Sequence, residues 1–301
     1  MKFETPLGAL LVGLAAALMA APAAQAQQDW HPFASITPVY VGGADIDGGG
    51  DYSVASAIVR AGVQRSFGGA NLAGVTFNYD YSDYSFSSPA AFGGAAPWNV
   101  VRRYGVAVPM VFGVSDRWVL GVIPSLDWFR ENGADQGESL SWGGVLSATR
   151  FFDGGNRLGL GVGVFQRLEK TSVFPLLLVD WKLGDRWRLV NPLPAGPTGP
   201  AGLELDYRLD GGWNVGLGAA WRTVRFRLSE AGPVANGIGE ERGFPVFLRA
   251  RRSFGQGMAL HLYAGVVTAG QLRVEDPDGN GLREVDVDPA PLLGLTFSAR
   301  F

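Results

Sequence analysis

The motif that most resembles a ligand-binding site is an acidic segment near the C-terminus, Asp276-Pro277-Asp278-Gly279-Asn280-Gly281. Asp276, Asp278 and Asn280 place oxygen ligands at alternate positions before a glycine, as in the first half of a calcium-binding loop. The twelfth position, however, is Val287, where such a loop needs a bidentate glutamate. The same residue types also favour turns. Residues 275–289 are therefore expected to form a polar loop, with Ca²⁺ at Asp276, Asp278 and Asn280 as the less favoured alternative and no other cofactor.

The sequence offers little for covalent or acid–base catalysis. It contains two histidines, His31 and His261, no cysteine, and no serine in a Gly-x-Ser-x-Gly elbow. His261 lies on the polar side of an alternating segment, near a short turn, where a hydrogen-bonded interior histidine is a more common role than a general base. We therefore expect that the protein is not an enzyme.

The composition excludes several other classes. Charged residues make up 18% of the chain, below the roughly 25% usual in soluble domains, while 47% are hydrophobic and 44 residues are glycine. The formal net charge of −3 argues against nucleic acid as a partner, because a nucleic-acid binder needs a basic face. Few charges with many glycines and aromatic residues are typical of a chain that does not fold in water.

Residues 1–26 have the pattern of a cleaved signal peptide. Lys2 precedes an apolar stretch from Leu7 to Ala21, and Ala24-Gln25-Ala26 is a small-x-small cleavage site. A membrane anchor is the alternative, but the stretch is short of the roughly 20 residues that cross a bilayer. Residues 27–301 would then form an exported domain.

That domain alternates with the period of β-strands. Leu203, Leu205 and Leu209 share one face of a strand, whereas Glu204 and Asp206 occupy the other. Short turns alternate along the chain with longer Gly/Pro/Asp-rich connections, among them residues 229–241 and 275–289, with a tight member at 170–172. This order predicts about fourteen antiparallel strands, or about twelve if the pair beside residues 192–202 is dropped. This layout predicts an all-β fold, a transmembrane up-and-down β-barrel. A secreted sandwich is less consistent with it, because the polar faces are mostly Gly, Ser, Thr and Asn.

Aromatic residues and the C-terminal strand support a membrane location. Most of the tryptophans fall near strand ends, where interfacial girdles form. The last strand carries Phe297 and closes on a terminal aromatic, Phe301. Such an ending resembles the sorting signal read by the outer-membrane barrel assembly machinery. The segments "DWKLGDRWRLVNP" and "GIGEERGFPVFLRARRSF" resemble a family of Gram-negative outer-membrane barrel proteins, porin-like and without known function. The resemblance covers roughly the C-terminal half and implies a place in the cell outer membrane, among its lipids.

Charged residues on the polar faces are the remaining indication of function. Charged side chains that face a lumen can pair or contact water, whereas those that face lipid destabilise the barrel. Their mixed signs predict no strong preference for anions or cations. We expect porin-like passage or docking of small solutes; the alternative is a closed structural barrel that acts through its extracellular loops. The lumen-facing candidates are Arg60, Arg103, Asp127, Asp180, Lys182, Glu204, Asp206, Arg208, Arg249, Arg251, His261 and Arg273.

Overall fold

A computed structural model describes residues 30–255 and 257–301. The predicted signal peptide lies outside these residues. The described part of the chain is almost entirely β-structure, and the few helical segments in it are single 3₁₀ turns (Ala90–Phe92, Gly137–Ser139, Asp153–Gly155 and Asp210–Gly212). None of the helices described is long and apolar enough to cross a membrane.

Seventeen strand segments form one sheet. They are β1 (Trp30–Asp45), β2 (Asp51–Ser66), β3 (Leu72–Ser87), β4 (Val100–Ala107), β5 (Met110–Ser115), β6 (Trp118–Glu131), β7 (Leu140–Phe151), β8 (Arg157–Arg167), β9 (Lys170–Lys182), β10 (Trp187–Val190), β11 (Gly202–Arg208), β12 (Trp213–Ala220), β13 (Arg222–Arg227), β14 (Ile238–Phe254), β15 (Met258–Glu275), β16 (Gly281–Val287) and β17 (Ala290–Arg300).

Three of the barrel strands are interrupted, so the seventeen segments correspond to fourteen strands. Pro109 separates β4 from β5 and Pro289 separates β16 from β17, because proline has no N–H for the ladder. Trp221 separates β12 from β13. Consecutive strands pair antiparallel, and β17 pairs with β1 from Phe33↔Arg300 to Val41↔Leu292, which closes the barrel. The predicted all-β, up-and-down barrel of about fourteen strands is confirmed.

The two ends of the barrel differ. One end, which we call the terminal rim, holds Trp30 and Phe301 together with the short turns. The other end, the loop rim, holds the longer connections. The Phe301 amide donates to the Pro32 carbonyl at 2.9 Å, so the last residue is tied to the first strand.

Some predicted loops are shorter than expected. Residues 229–241 were expected to be irregular, yet β14 begins at Ile238; residues 275–289 contain all of β16. The tight connection expected at 170–172 is a turn at Leu168 and Glu169. In the first two cases Gly, Asp and Pro favour turns locally, but the strands continue because they pair with each other beyond the barrel wall.

Candidate functional site: the interior of the barrel

Alternation along each strand separates an outer face from an interior face. Leu248 is 62% exposed on the outside, whereas its neighbour Arg249 is 8% exposed and points inward. The outer face carries a band of exposed apolar side chains: Leu120, Leu126, Leu146, Leu160, Val164, Val173, Leu177, Leu217, Leu248, Leu262 and Leu293. Polar and charged groups lie mostly inside, so the outer surface suits a hydrocarbon environment.

Arginine–tryptophan pairs mark the outer face at the terminal rim. Arg150 pairs across the strands with Trp118, and Arg252 pairs with Trp213 in the same way. The guanidinium carbons lie 5.9 Å and 5.3 Å from the indole centroids. Arg65 repeats the arrangement over Trp30 at 5.9 Å. Amphipathic rings with cations above them are expected at a membrane interface.

The interior is divided into two regions. One, which we call the packed side, is a hydrophobic cluster toward the loop rim between the first strands and β13–β17. Trp98 and Phe226 at its centre are 0% exposed, with ring centroids 5.2 Å apart. The cluster also includes Val39, Val41, Tyr52, Val54, Tyr84, Phe247, Tyr263, Leu272, Val274, Val285 and Leu292. No water-filled channel can pass through such a cluster.

The second region, the glycine-lined side, is the interior face of β6–β9. Cross-strand pairing places Ser147 opposite Gly121 and Gly161, and Gly163 opposite Phe174. The other interior residues here include Ile123, Val145, Thr149, Phe165, Leu176 and Leu178, all of them at least partly exposed. The Phe174 ring lies over Gly163, where a Cβ would be 2.4 Å from it. The flanking interior side chains nevertheless remain partly accessible, which places the open space of the barrel along these four strands.

Strand β13 explains why the packed side is filled. It pairs with β14 along one edge, but at its end Arg227 forms a parallel bridge to Arg130 of β6, which belongs to a distant part of the wall. The loop-rim part of β13 and β14 therefore bends inward and crosses the barrel. Phe226 packs against Phe129 and Tyr84 there, with ring centroids 6.3 Å and 6.4 Å away.

Residues 191–201 also enter the interior. The Thr37 hydroxyl donates to the Ala195 carbonyl at 2.6 Å and hydrogen-bonds Thr296 at 2.8 Å, which links this connection to β1 and β17. Thr198 in the same connection is buried. The connection thus leaves the β10–β11 wall and reaches strands that are not its neighbours in the sheet.

The predicted lumen-facing charges Arg60, Arg103 and Asp127 form one ion-pair ladder. Asp80 of β3 contacts both arginines: Arg60 Nη2 donates to Asp80 Oδ2 at 3.1 Å, and Arg103 Nη1 lies 3.3 Å from the same oxygen. Arg103 Nε also donates to Asp127 Oδ1 at 2.8 Å. Opposite charges therefore alternate across β2, β3, β4 and β6.

A second group joins Glu204, Asp206, Arg249 and His261 on β11, β14 and β15. Arg249 contacts both carboxylates, with Nη2 at 2.7 Å from Asp206 Oδ1, and its Nη1 lies 3.2 Å from His261 Nδ1. Because Nδ1 faces a guanidinium donor, it acts as an acceptor there. This geometry gives His261 a packing and hydrogen-bonding role within the cluster.

A third group lies nearer the terminal rim. Asp180 pairs with Arg188, whose Nη2 lies 2.6 Å from Asp180 Oδ2. The ammonium of Lys182 donates to the Gly154 carbonyl at 2.7 Å, and Arg208 donates to the Asp185 carbonyl at 2.8 Å. Arg251 is paired across the strands with His261.

Arg273 differs from the prediction. The pairing of β14 with β15 jumps from Arg242↔Gln271 to Phe244↔Thr268, so β15 contains an extra residue at Ala269 and Gly270. This bulge reverses which side chains face inward. Leu272 and Val274 belong to the packed side, while Arg273 points outward and lies 2.9 Å from Glu275 and 3.5 Å from Glu284.

Arg225 and Arg227 lie on β13, which pairs with β14, the strand that carries Arg249 and Arg251. The structure does not bring these arginines together as free cations. Arg225 lies 3.0 Å from Glu240 and 2.5 Å from Glu275, and all three side chains are nearly inaccessible. Arg227 pairs with Glu169 at 2.8 Å on the outer side of the bent sheet.

Within the acidic loop, the Asp276 carboxylate is satisfied by neighbouring donors. Asp276 Oδ1 accepts from the amides of Asp278 and Asn280 at 3.0 Å and 2.8 Å, and Oδ2 accepts from the Asn280 side chain at 2.9 Å. These hydrogen bonds, led by that of the Asn280 side chain, lower the pKa of Asp276. Within the described residues, no group of three or more His, Asp or Glu side chains is arranged to hold a metal ion. The expectation of a polar loop, with calcium binding as the less favoured alternative, stays a prediction.

The C-terminal aromatic residues lie where a sorting signal would be accessible. Phe297 points outward on β17, paired with Ile36 and Leu260, and Phe301 is exposed at the terminal rim. Their role in assembly stays a prediction.

Local sequence patterns did not predict the inward-bent sheet or the buried acid of β14. Glu241 accepts from Tyr84 at 2.7 Å and from Tyr52 at 3.3 Å within the packed side. A signal was available, because the alternation of residues 221–228 changes partway. The change marks the point at which β13 leaves the wall.

No protein-family model matches the sequence, and a comparison with curated proteins gives no significant match. Among solved structures, an outer membrane channel from Pseudomonas putida F1 is 13% identical, with a TM-score of 0.48 over 93% of this chain and 98% of that one. The Pseudomonas putida toluene transporter TodX is 11% identical (TM-score 0.43, 94% and 93% covered). The translocator domain of the autotransporter NalP from Neisseria meningitidis is 12% identical (TM-score 0.35, 96% and 95% covered).

Proposed function

We propose that the protein is an outer-membrane channel, porin-like in fold, that passes small solutes along the glycine-lined side. The observation that carries the proposal is the contrast between the two regions of the interior. Side chains of the packed side are almost fully buried, whereas those facing inward from β6–β9 are partly accessible. A purely structural barrel would gain from filling both sides.

The apolar outer band and the interfacial Arg–Trp pairs support the membrane location. Only closed barrels and helices satisfy their backbone groups in lipid, and this chain forms a closed barrel. In the groups around Arg103 and Arg249, opposite charges are paired, so these parts of the wall carry no strong field of one sign. This arrangement suits small solutes without a large net charge. No step in this function requires catalysis.

The test is to block the open side. Ser147 points into it from β7, whereas the next residue, Ala148, points outward. Ser147→Trp should reduce both single-channel conductance in planar bilayers and the swelling rate of proteoliposomes in arabinose. Ala148→Trp is the matched control, because an aromatic side chain on the lipid side leaves the interior unchanged.

Both variants must first fractionate with outer membranes and migrate faster unheated than boiled on a detergent gel. Given that, equal conductance and swelling for Ser147→Trp and the parent protein would contradict the proposed path. Absence of conductance in the parent protein itself would favour the closed structural barrel.

A further inference from the structure

The wall of the barrel has a discontinuity between β9 and β13. The ladder between β9 and β10 covers only Asp180–Lys182 of β9. The ladder between β11 and β12 ends toward the loop rim at Ala220. Between Asp180 and the loop rim, the described part of β9 pairs with β8 alone. Over the same interval β13 pairs with β14, and its other edge has the single bridge to β6. Two strand edges therefore face each other without a ladder.

This slit is bounded at both ends by hydrogen bonds. At its base, Asn191 accepts from the Val179 amide at 2.8 Å and donates to the Gly202 carbonyl at 2.9 Å, which ties β9 to β11. At its top, Arg225 Nη2 donates to the Leu168 carbonyl at 3.0 Å, which holds the β8–β9 turn against β13. Between these ties, unpaired backbone groups cannot stably face hydrocarbon, so the slit must be lined by protein or occupied by other molecules.

The slit connects two apolar surfaces. From Thr171 to Val179 the edge strand has no charged residue. Val173 and Leu177 face outward and are 65% and 46% exposed, within the apolar band. Phe174, Leu176 and Leu178 alternate with them and face the glycine-lined side. A molecule moving past this edge would therefore meet apolar side chains on both faces of the wall.

The loop rim above the glycine-lined side is, in contrast, covered and charged. Strand β13 crosses it to reach Arg130, and Arg227 is held by the Glu138 carbonyl at 3.1 Å and by Glu169 at 2.8 Å. Entry along the barrel axis passes these charged groups, whereas entry through the slit does not.

We propose that the slit between β9 and β13 admits small, uncharged apolar molecules from the outer leaflet of the membrane into the glycine-lined side. This inference rests on the proposed channel function and adds to its axial path a lateral entry for apolar solutes. Passage through the slit keeps an apolar molecule in contact with hydrocarbon-like surfaces until it reaches the interior.

The slit can be closed with a chemical cross-link, because the chain has no native cysteine. Val173→Cys and Thr223→Cys place thiols on the outer side of the two facing edges. A series of bis-maleimides of increasing length would join them. The matched control combines Val173→Cys with Val164→Cys. These two positions are directly paired in the continuous ladder between β8 and β9, so their cross-link does not span the slit. N-phenyl-1-naphthylamine, whose fluorescence rises in phospholipid, is the apolar probe for intact cells.

Cross-linking across the slit should lower probe uptake to that of cells without the protein, while the control cross-link leaves uptake unchanged. Unchanged uptake after complete cross-linking of the slit would overturn the proposal, as would failure of every linker length to join the two edges. The Ser147→Trp variant separates this outcome from failure of the channel itself. If that variant blocks uptake but the cross-link does not, the channel function stands and the route is wrong.

Discussion

The packed side and the glycine-lined side are built from the same alternating strands, yet they use their interior faces differently. On the packed side, β13–β16 bend inward, so that Phe226 and Leu272 meet side chains from the opposite wall. On the glycine-lined side, the interior faces of β7 and β8 present Gly143, Gly159 and Gly161, and the interior side chains beside them remain partly accessible. A barrel of this strand number is too wide for wall side chains to fill. The difference between the sides is therefore set by which strands leave the wall.

The largest expected difference between the two sides is in stability. Phe226→Ala should destabilise the barrel by about 3–5 kcal/mol, because it leaves a cavity among fully buried aromatic rings. Phe174→Ala removes the same ring from the glycine-lined side, where it is partly accessible and packs on Phe165 at 5.7 Å, so the loss should be clearly smaller. Urea unfolding in detergent micelles measures both. Equal losses would mean that the glycine-lined side is packed as well.

A smaller effect is expected from charge placement on the open side. Leu146→Arg puts a guanidinium on the outer face of β7 and should cost about 2–4 kcal/mol if it lies near the bilayer midplane. Ser147→Arg, one residue on, points into the glycine-lined side and should be tolerated. The free energy of unfolding in lipid vesicles compares the two variants. A similar loss from both would show that water does not reach the interior at β7.

Alternation alone predicts such pairs but cannot say whether an interior position has room for a side chain. A Cβ at Gly143, on the glycine-lined side, would lie 2.2 Å from the Val164 carbonyl oxygen. By alternation, Gly265 of β15 is an interior position like Ser147. The structure shows that a Cβ at Gly265 would lie 2.3 Å from the Val246 carbonyl oxygen and 2.8 Å from the Phe247 Cα. An arginine there would be damaging, because the neighbouring strand already occupies the space.

The strand number and the facing of charges from Arg60 to His261 followed from local rules, since a period of two and turn chemistry are properties of short segments. Arg273 did not, because a bulge at Ala269 and Gly270 reverses the alternation just before it. The inward course of β13 could not be predicted from local patterns either, because it depends on contacts such as that of Arg227 with Arg130, nearly a hundred residues away in the sequence. Local patterns describe a wall, whereas filling the interior is decided by long-range packing.

The smallest effect is expected at the acidic loop, which joins β15 to β16 on the packed side. The Asp276 carboxylate is satisfied within the loop, since both of its oxygens already accept hydrogen bonds from Asp278 and Asn280. The lowered pKa of Asp276 means that this stabilisation is fully present above the unfolded-state pKa, near 4, and is lost only as the pH falls through the lower folded value. Proteolysis of residues 275–289 should therefore be the same in millimolar calcium and in chelator. Protection by calcium that disappears in Asp278→Ala, with barrel assembly unchanged, would instead show that the loop exchanges its internal hydrogen bonds for a metal ion.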